Sequence, residues 1–330
     1  MLRAIDPSGF VTDNTYAIVC LVARATGNSG RGSRVRQIGV LAVDGLMSQW
    51  PPFASELARQ GHAEHSNVRF ELRMVNENGP ERRAHALDLL RQKVDVIFTL
   101  SGSTTALDAK KVAPTIPIVF LSSADPVGMG LVASLSRPGG NVTGVAAPTY
   151  AVATKRIQFL AEATKRLTSI AFVHAQIARS FPWFDAHIAQ VTRAAKELGV
   201  HSQLVSFTST DDLELLIRRL AERGVDGVQP LGDGSENIDR KRVGEVLVAH
   251  RLPSIGDIED GNLVEYKFST EAQAQIAARL VAKILNGARP SDLPVEQVST
   301  FQLGINLRTA DALGIRIPPA LQVQATKVIR

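Results

Sequence analysis

From Val35 onward the chain alternates β-forming runs with helical segments, and this order restricts the possible folds more than any other feature. Ile38-Gly39-Val40-Leu41-Ala42-Val43 suits a buried parallel strand, and Val68-Arg69-Phe70-Glu71-Leu72 a second strand. Glu81 to Arg91 carries Ala84, Leu87 and Leu90 at helical spacing. Val94 to Leu100 is strongly β-forming, Thr104 to Val112 reads as a helix, and Ile118 to Leu121 as a strand. Such alternation predicts parallel strands joined by right-handed crossovers. Asp125 to Gly144, rich in Gly and Pro, reads as an ordered loop approaching a hinge. The pattern then restarts with helix Ala151 to Ala163, strand Ile170 to Val173, and an apolar stripe at Phe184, Ile188, Val191, Ala195 and Leu198. Strand Gln203 to Phe207, helix Asp211 to Arg223 and strand Val225 to Leu231 repeat the unit, with Asp211 as N-cap or first-turn acid. Helix Lys241 to His250, strand Pro253 to Ile255, helix Glu271 to Leu285 and strands within Leu293 to Leu307 supply the rest. A chain of 330 residues is too long for one ordinary core, so two α/β lobes follow, without a visible sequence repeat between them.

Composition removes several function classes. Hydrophobic residues at 45% and charged residues at 21% are ordinary for a globular protein and argue against long disorder and membrane spanning. The net charge of +5 is scattered rather than striped, so no nucleic-acid partner is expected. The single cysteine, Cys20, has no disulfide partner within the chain and no neighbours at metal-ligand spacing, so no metal is expected. Residues 1–34 read as a leader: Gly27 to Ser33 is flexible, and Tyr16 to Ala25 is an apolar run like a degenerate signal-peptide core. One Arg and two acids, Asp6 and Asp13, precede it, which makes a poor export signal. The residues before Cys20 do not suit a lipid-attachment site.

In open α/β sheets ligands sit beyond the carboxyl ends of the strands, so the residues there are the candidates. Ser101-Gly102-Ser103-Thr104 opens a helix with hydroxyls and backbone N–H groups suited to an anion such as a carboxylate, and equally suited to an ordinary helix cap. Ser122-Ser123-Ala124-Asp125 follows the next strand. There Asp125 suits either a ligand ammonium or the turn before Pro126. In the second half the strand ends offer His174, then Gly232-Asp233-Gly234-Ser235, then Gly256-Asp257. His174 fits a hydrogen-bonded structural role better than a base. Trp50, Phe53, Phe181 and Trp183 suit either a cleft wall or core packing. No nucleophile, base and orienter stand at a recognisable spacing. The Gly128, Gly130, Gly139 and Gly140 cluster lies in a Pro-containing loop rather than between a strand and its helix, so neither enzyme activity nor a cofactor is expected.

Asp125-Pro126-Val127-Gly128-Met129-Gly130-Leu131-Val132-Ala133-Ser134-Leu135, continuing as Arg137-Pro138-Gly139-Gly140-Asn141-Val142-Thr143-Gly144, resembles the substrate-binding proteins of ABC transporters of the tryptophan/tyrosine type. Lys93 to Ile97, Thr115 to Phe120, Ile284 to Gln297, Ile305 to Leu307, Ala312 to Gly314 and Ile317 to Pro319 extend the likeness to about residues 35–330. The resemblance implies two Rossmann-like lobes with parallel sheets in the type I periplasmic-binding, or Venus-flytrap, architecture. It implies one lobe of 35–147 plus about 264–290 and another of 148–263 plus about 291–330. It further implies a periplasmic solute-binding protein of an importer, holding a small organic ligand such as an amino acid or other carboxylate. The partner would be the permease, touched peripherally at the membrane. A ligand-sensing protein without transport is the alternative. Ligand contacts are expected at Ser101, Ser103, Thr104, Ser123, Asp125, His174, Asp233, Asp257 and Tyr266. The chain departs from the family pattern at His174, where Asn is usual, in a shortened Ile255 to Gly261, and at Lys267, where Gly usually follows Tyr266.

Overall fold

The alternation read from the sequence builds two separate sets of strands. A computed structural model describes residues 34–330 except 77–78, 124, 148, 181–183 and 232–238. The leader before Arg34, with Cys20, and the candidates Asp233, Phe181 and Trp183 therefore lie outside the described residues. The first set runs β1 (Arg36–Ala42), α1 (Trp50–Arg59), β2 (Val68–Met74), α2 (Glu81–Arg91), β3 (Val96–Leu100), α3 (Ser103–Val112), β4 (Ile118–Ser123) and β5 (Val142–Ala146). The second runs α4 (Thr149–Thr164), β6 (Ser169–Ala175), α5 (Phe184–Glu197), β7 (His201–Phe207), α6 (Thr210–Glu222), β8 (Gly227–Leu231), α7 (Arg240–Ala249) and β9 (Val264–Phe268). Beyond it come α8 (Thr270–Leu285), β10 (Glu296–Gln297), β11 (Phe301–Asn306), α9 (Leu307–Leu313), α10 (Pro319–Gln324) and β12 (Lys327–Ile329).

The first sheet has the order β10-β5-β4-β3-β1-β2, and all its pairings are parallel. Helices cover both faces, so β3 is buried along its whole length and its sequence is apolar without alternation. One face packs Val96, Phe98 and Leu100 with Phe53 and Leu57 of α1 and with α8. The other packs Ile97 and Ile118 with Ala86 and Leu89 of α2 and Ala106 of α3. In the second half β7-β6-β8 is parallel, while β9 pairs antiparallel with β11 and β11 parallel with β12. Two isolated parallel bridges, Val228 to Ser254 and Ile255 to Val264, link these trios. Pro253 to Ile255, expected as a strand, contributes only those bridges.

Three segments carry the chain between the sheets, and their placement locates the functional edge. β5 leads into α4, β9 into α8 through Ser269, and β10 into β11. β5 and β10 leave the first sheet at their carboxyl ends. β9, parallel to β8 through the bridges, leaves the second sheet at its carboxyl end, and β11 enters antiparallel to it. Every crossing therefore joins one carboxyl edge to the other. The two segments assigned whole to single lobes are each divided by the hydrogen bonding: β9 belongs with β11 while α8 packs on the first sheet, and β10 pairs with β5 while β11 pairs with β9.

Other local details refine the sequence reading, which does not single out the first of them. Trp50 to Arg59 is a helix whose first turn holds Pro51 and Pro52, where the missing N–H groups cost nothing. The Gly- and Pro-rich stretch ends earlier than read, because Val142, Thr143 and Gly144 already pair with β4. Ser209 caps α6, its side chain accepting from Asp212 N–H, and Asp211 takes the second of its two expected places, in the first turn.

Candidate functional site

At the carboxyl edge of the first sheet, the turn between β3 and α3 carries small, neutral groups. Ser101, just past β3, is fully buried and its Oγ meets no partner among the described residues. Gly102, in extended backbone, starts α3, and Ser103 and Thr104 are half-buried in the first helical turn. Gln49, on the turn before α1, is also buried with Oε1 unpartnered among the described residues. It borders a depression of about 450 Å³ between the starts of α1 and α8, shared with Ser55 and Glu271.

The carboxyl edge of the second sheet is densely charged. A cavity of about 210 Å³ opens there, floored by Val173, Phe207, Pro230 and Leu231 at the ends of β6, β7 and β8. The loop after residue 255 contributes Gly256, Asp257, Asp260 and Asn262. β9 contributes Glu265 and Lys267, α7 Arg240 and Val243, and α4 Arg156. Glu265 and Lys267 reach one face together because side chains two apart on a strand share a face. Lys267 Nζ lies 2.6 Å from Glu265 Oε1 and 3.3 Å from Asp257 Oδ2. Asp257 Oδ1 also accepts from Glu259 N–H at 3.0 Å.

Burial and pairing set the titration of this wall. Burial pushes Glu265 above the usual carboxylate range, and its bond with Lys267 only partly offsets that. Burial also works against charge on Lys267, yet the two carboxylates outweigh it and hold Lys267 above its ordinary value. For Asp257 burial pushes upward, but the Glu259 N–H and Lys267 prevail and the group titrates low. Asp260 is pushed up by burial and by the Asp257 charge.

The expected ligand residues are distributed unevenly. Ser101, Ser103 and Thr104 meet at one edge of the first sheet, and Asp257 lines the cavity of the second. Ser123 ends β4. Asp125 is exposed and its Oδ1 accepts from Gly128 N–H at 2.8 Å, closing its own turn. His174 is fully buried, donates Nδ1–H to Ala175 O at 2.7 Å and stands edge-on to Phe184, with Nε2 unpartnered among the described residues. Burial, reinforced by the Arg179 charge, lowers its pKa, so the ring is neutral near pH 7. Tyr266 stacks on Phe301 at 5.5 Å and contacts Phe159 at 5.0 Å in the core of the second half. Phe53 stacks on Phe98 at 4.1 Å and Trp50 sits edge-on to Phe70, so both are core residues.

Sequence reading missed Arg156, Arg240, Asp260, Asn262 and Glu265. The local signals were the candidate Asp257 and the departures from the family pattern at Ile255–Gly261 and Lys267, which fall on this wall. Among the described residues no cluster of His, Cys, Asp and Glu suits a metal ion, and no helix is long and apolar enough to cross a membrane.

Comparison with known proteins sets this geometry in context. The tyrosine-binding protein of Clostridioides difficile is 22% identical over 268 residues, covering 80% of this chain and 76% of that protein. A Streptococcus pneumoniae ABC domain in complex with L-Trp superposes with a TM-score of 0.77 at 21% identity, covering 90% of this chain and all of that one. A ligand-free, open substrate-binding protein with adhesive properties from Clostridium difficile gives 0.72 at 21% identity, covering 89% and 99%. These likenesses show the fold, which is that of type I periplasmic-binding proteins. The family model for ABC transporter substrate binding proteins matches residues 37–329, and the chain belongs to that family.

Proposed function

We propose that this protein is the periplasmic binding component of an ABC importer, closing on a small organic ligand and presenting it to the permease without chemical change. The observation that carries the reading is the joining of two unlike carboxyl edges by three crossing segments, in a chain of the substrate-binding family. In this reading one lobe is 35–147 with α8 and β10, and the other is 148–268 with β11 to the end. The ligand is an amino acid or related carboxylate, as the names of the tyrosine-binding relative and the L-Trp complex suggest. Ser101, Ser103 and Thr104 contact it from one lobe and Asp257, with its neighbours in the cavity, from the other. Asp233 remains assigned with them on sequence grounds. A ligand favours the closed form only through contacts absent from the open form, so contacts divided between lobes drive closure.

A thermal-shift screen across amino acids and small carboxylates tests the reading. A true ligand at a hundred times its Kd adds about 2.7 kcal/mol to stability. A flat response across the panel removes the assigned ligand class, and turnover of a bound compound removes the assigned role. Cell fractionation tests the location, with protein confined to the cytosol as the contrary result.

A further inference from the structure

Three cations, Arg156, Arg240 and Lys267, and three carboxylates, Asp257, Asp260 and Glu265, line the cavity of the second half. They are matched in number but not in position. Lys267 engages both Glu265 and Asp257. Arg156 makes one hydrogen bond among the described residues, from Nε to Tyr266 O at 2.8 Å, and feels the Glu265 charge without forming an ion pair with it, while Asp260 feels the Arg240 charge and likewise has no ion pair among them. Asn262 is 4% exposed, donates Nδ2–H to Asp257 O at 2.9 Å, and its Oδ1 meets no donor among the described residues. A guanidinium with spare donors fits a planar, two-oxygen anion, because its parallel N–H groups match the spacing of carboxylate oxygens. A carboxylate and an amide oxygen lacking donors fit an ammonium, which has donors and no acceptor. An α-amino acid carries both partners one carbon apart.

We propose that this cavity takes the zwitterionic end of an α-amino acid, its carboxylate on Arg156 and its ammonium on Asp260 and Asn262, leaving the amino-acid side chain to the Ser101–Thr104 edge. The proposal rests on the binding-protein reading above and reverses the polarity suggested by the sequence, in which Ser103 and Thr104 held the anion. The bond from Arg156 to Tyr266 O ties α4 to β9, so the guanidinium is oriented before any ligand arrives, which lowers the ordering cost of binding.

Calorimetric titration of the full chain decides the matter, using L-tyrosine as first probe after a screen of the twenty amino acids and several polyols. Tyramine lacks the carboxylate and N-acetyl-L-tyrosine lacks the ammonium. The same pair of analogues is made for any other amino acid that binds. Each analogue should bind about thirtyfold more weakly than the parent, as the loss of a hydrogen bond to a charged group requires. Arg156→Gln should weaken tyrosine by a similar factor and leave tyramine unchanged, whereas Ser103→Ala should change both by the same factor. Should Arg156→Gln fail to fold, Arg156→Lys and the analogues carry the decision, with Arg156→Lys expected between parent and Gln. Tyramine binding within threefold of tyrosine overturns the proposal, as does a folded Arg156 variant with parental affinity for tyrosine. Binding of a polyol but no amino acid also overturns it while leaving the binding role intact. Binding of nothing in the screen removes both readings.

Discussion

At the amino edge of the first sheet, α2 ends at Lys93 in left-handed backbone (φ 55°), Val94 N–H returns to Leu89 O, and Asp95 accepts from Gln37 N–H and Arg36 Nη1 at the start of β1. At the amino edge of the second, α6 ends at Gly224 (φ 70°), Val225 N–H returns to Leu220 O, and Asp226 accepts from the backbone and hydroxyl groups of Thr168 and Ser169 at the start of β6. Each device clamps the third strand of its half to the first. The carboxyl edges share nothing comparable: in the first, β3 is followed by the hydroxyls of Ser101, Ser103 and Thr104, whereas six ionisable groups line the cavity of the second. What the two halves have in common serves the sheet, and what sets them apart lies where the crossings converge. The difference is therefore not a requirement of the fold.

The comparison can be tested from the largest effect downward. Gly244, inside α7, lets that helix lie against the turn at 258–261, since an added Cβ would stand 1.7 Å from Asp260 O. Gly244→Ala should cost about 3 kcal/mol in urea unfolding, at the upper end of overpacking effects, and should abolish ligand-induced stabilisation. Unchanged stability would show that the charged edge does not depend on this contact. Lys267→Met leaves Glu265 buried without its cation, and about 2 kcal/mol should be lost at pH 7.5, less than for a fully buried pair because Lys267 is partly exposed. The pH dependence has a definite sign. Glu265 titrates above its ordinary value in the fold, so the stability linked to its protonation is complete below pH 4.5 and is lost as pH rises through the folded value. Removing Lys267 raises that value further, so the melting difference between variant and parent should narrow as pH falls from 7.5 to 4.5. A constant difference would contradict the assigned partner.

Asp95→Ala and Asp226→Ala should each cost about 1–2 kcal/mol, and by similar amounts, if the two clamps are equivalent. The Thr168 hydroxyl, foremost among its donors, holds Asp226 below the usual carboxylate range. Its contribution is thus present above pH 3.8 and lost as pH falls through the folded value, which acid titration of parent and variant would reveal. The smallest expected effect is a gain: Lys93→Gly should stabilise the chain by about 0.5–1 kcal/mol, because left-handed backbone strains a residue with a Cβ. Gly224→Ala should lose a similar amount.

The strand-helix order was legible because buried parallel strands and amphipathic helices leave periodic traces, as at Glu81–Arg91 and Val96–Leu100. Where tertiary structure overrides local signals the reading failed. Trp50–Arg59 went unread as a helix although Pro51 and Pro52 suit a first turn, and Val264–Phe268 went unread as a strand because Glu265 and Lys267 obscure its buried character. The hydroxyl edge was visible, since a Ser and Thr run after a strand is a local feature. Arg156 was not, because nothing in the α4 sequence distinguishes it from its neighbour Lys155, and its position follows from a strand more than a hundred residues later. Two of the departures from family pattern, Ile255–Gly261 and Lys267, line the cavity of the second sheet and are the part of it that sequence did reveal, while His174 is buried behind it near the end of β6.

The return of the chain to its first sheet also bears on how the protein is made. Ala274, Ala277, Leu280, Val281 and Leu285 of α8 complete the face that Ile38, Phe53, Leu57 and Phe98 begin. Roughly 120 residues separate the end of β5 from the start of α8, so at about 5–20 residues per second a ribosome needs on the order of ten seconds to supply the missing helix. During that interval α1 alone covers that apolar face of the early strands, and the part that α8 fills stays open. The nascent chain cannot settle its first half before its second has been synthesised, and a premature stop anywhere between the two elements would release an aggregation-prone fragment rather than a smaller folded lobe.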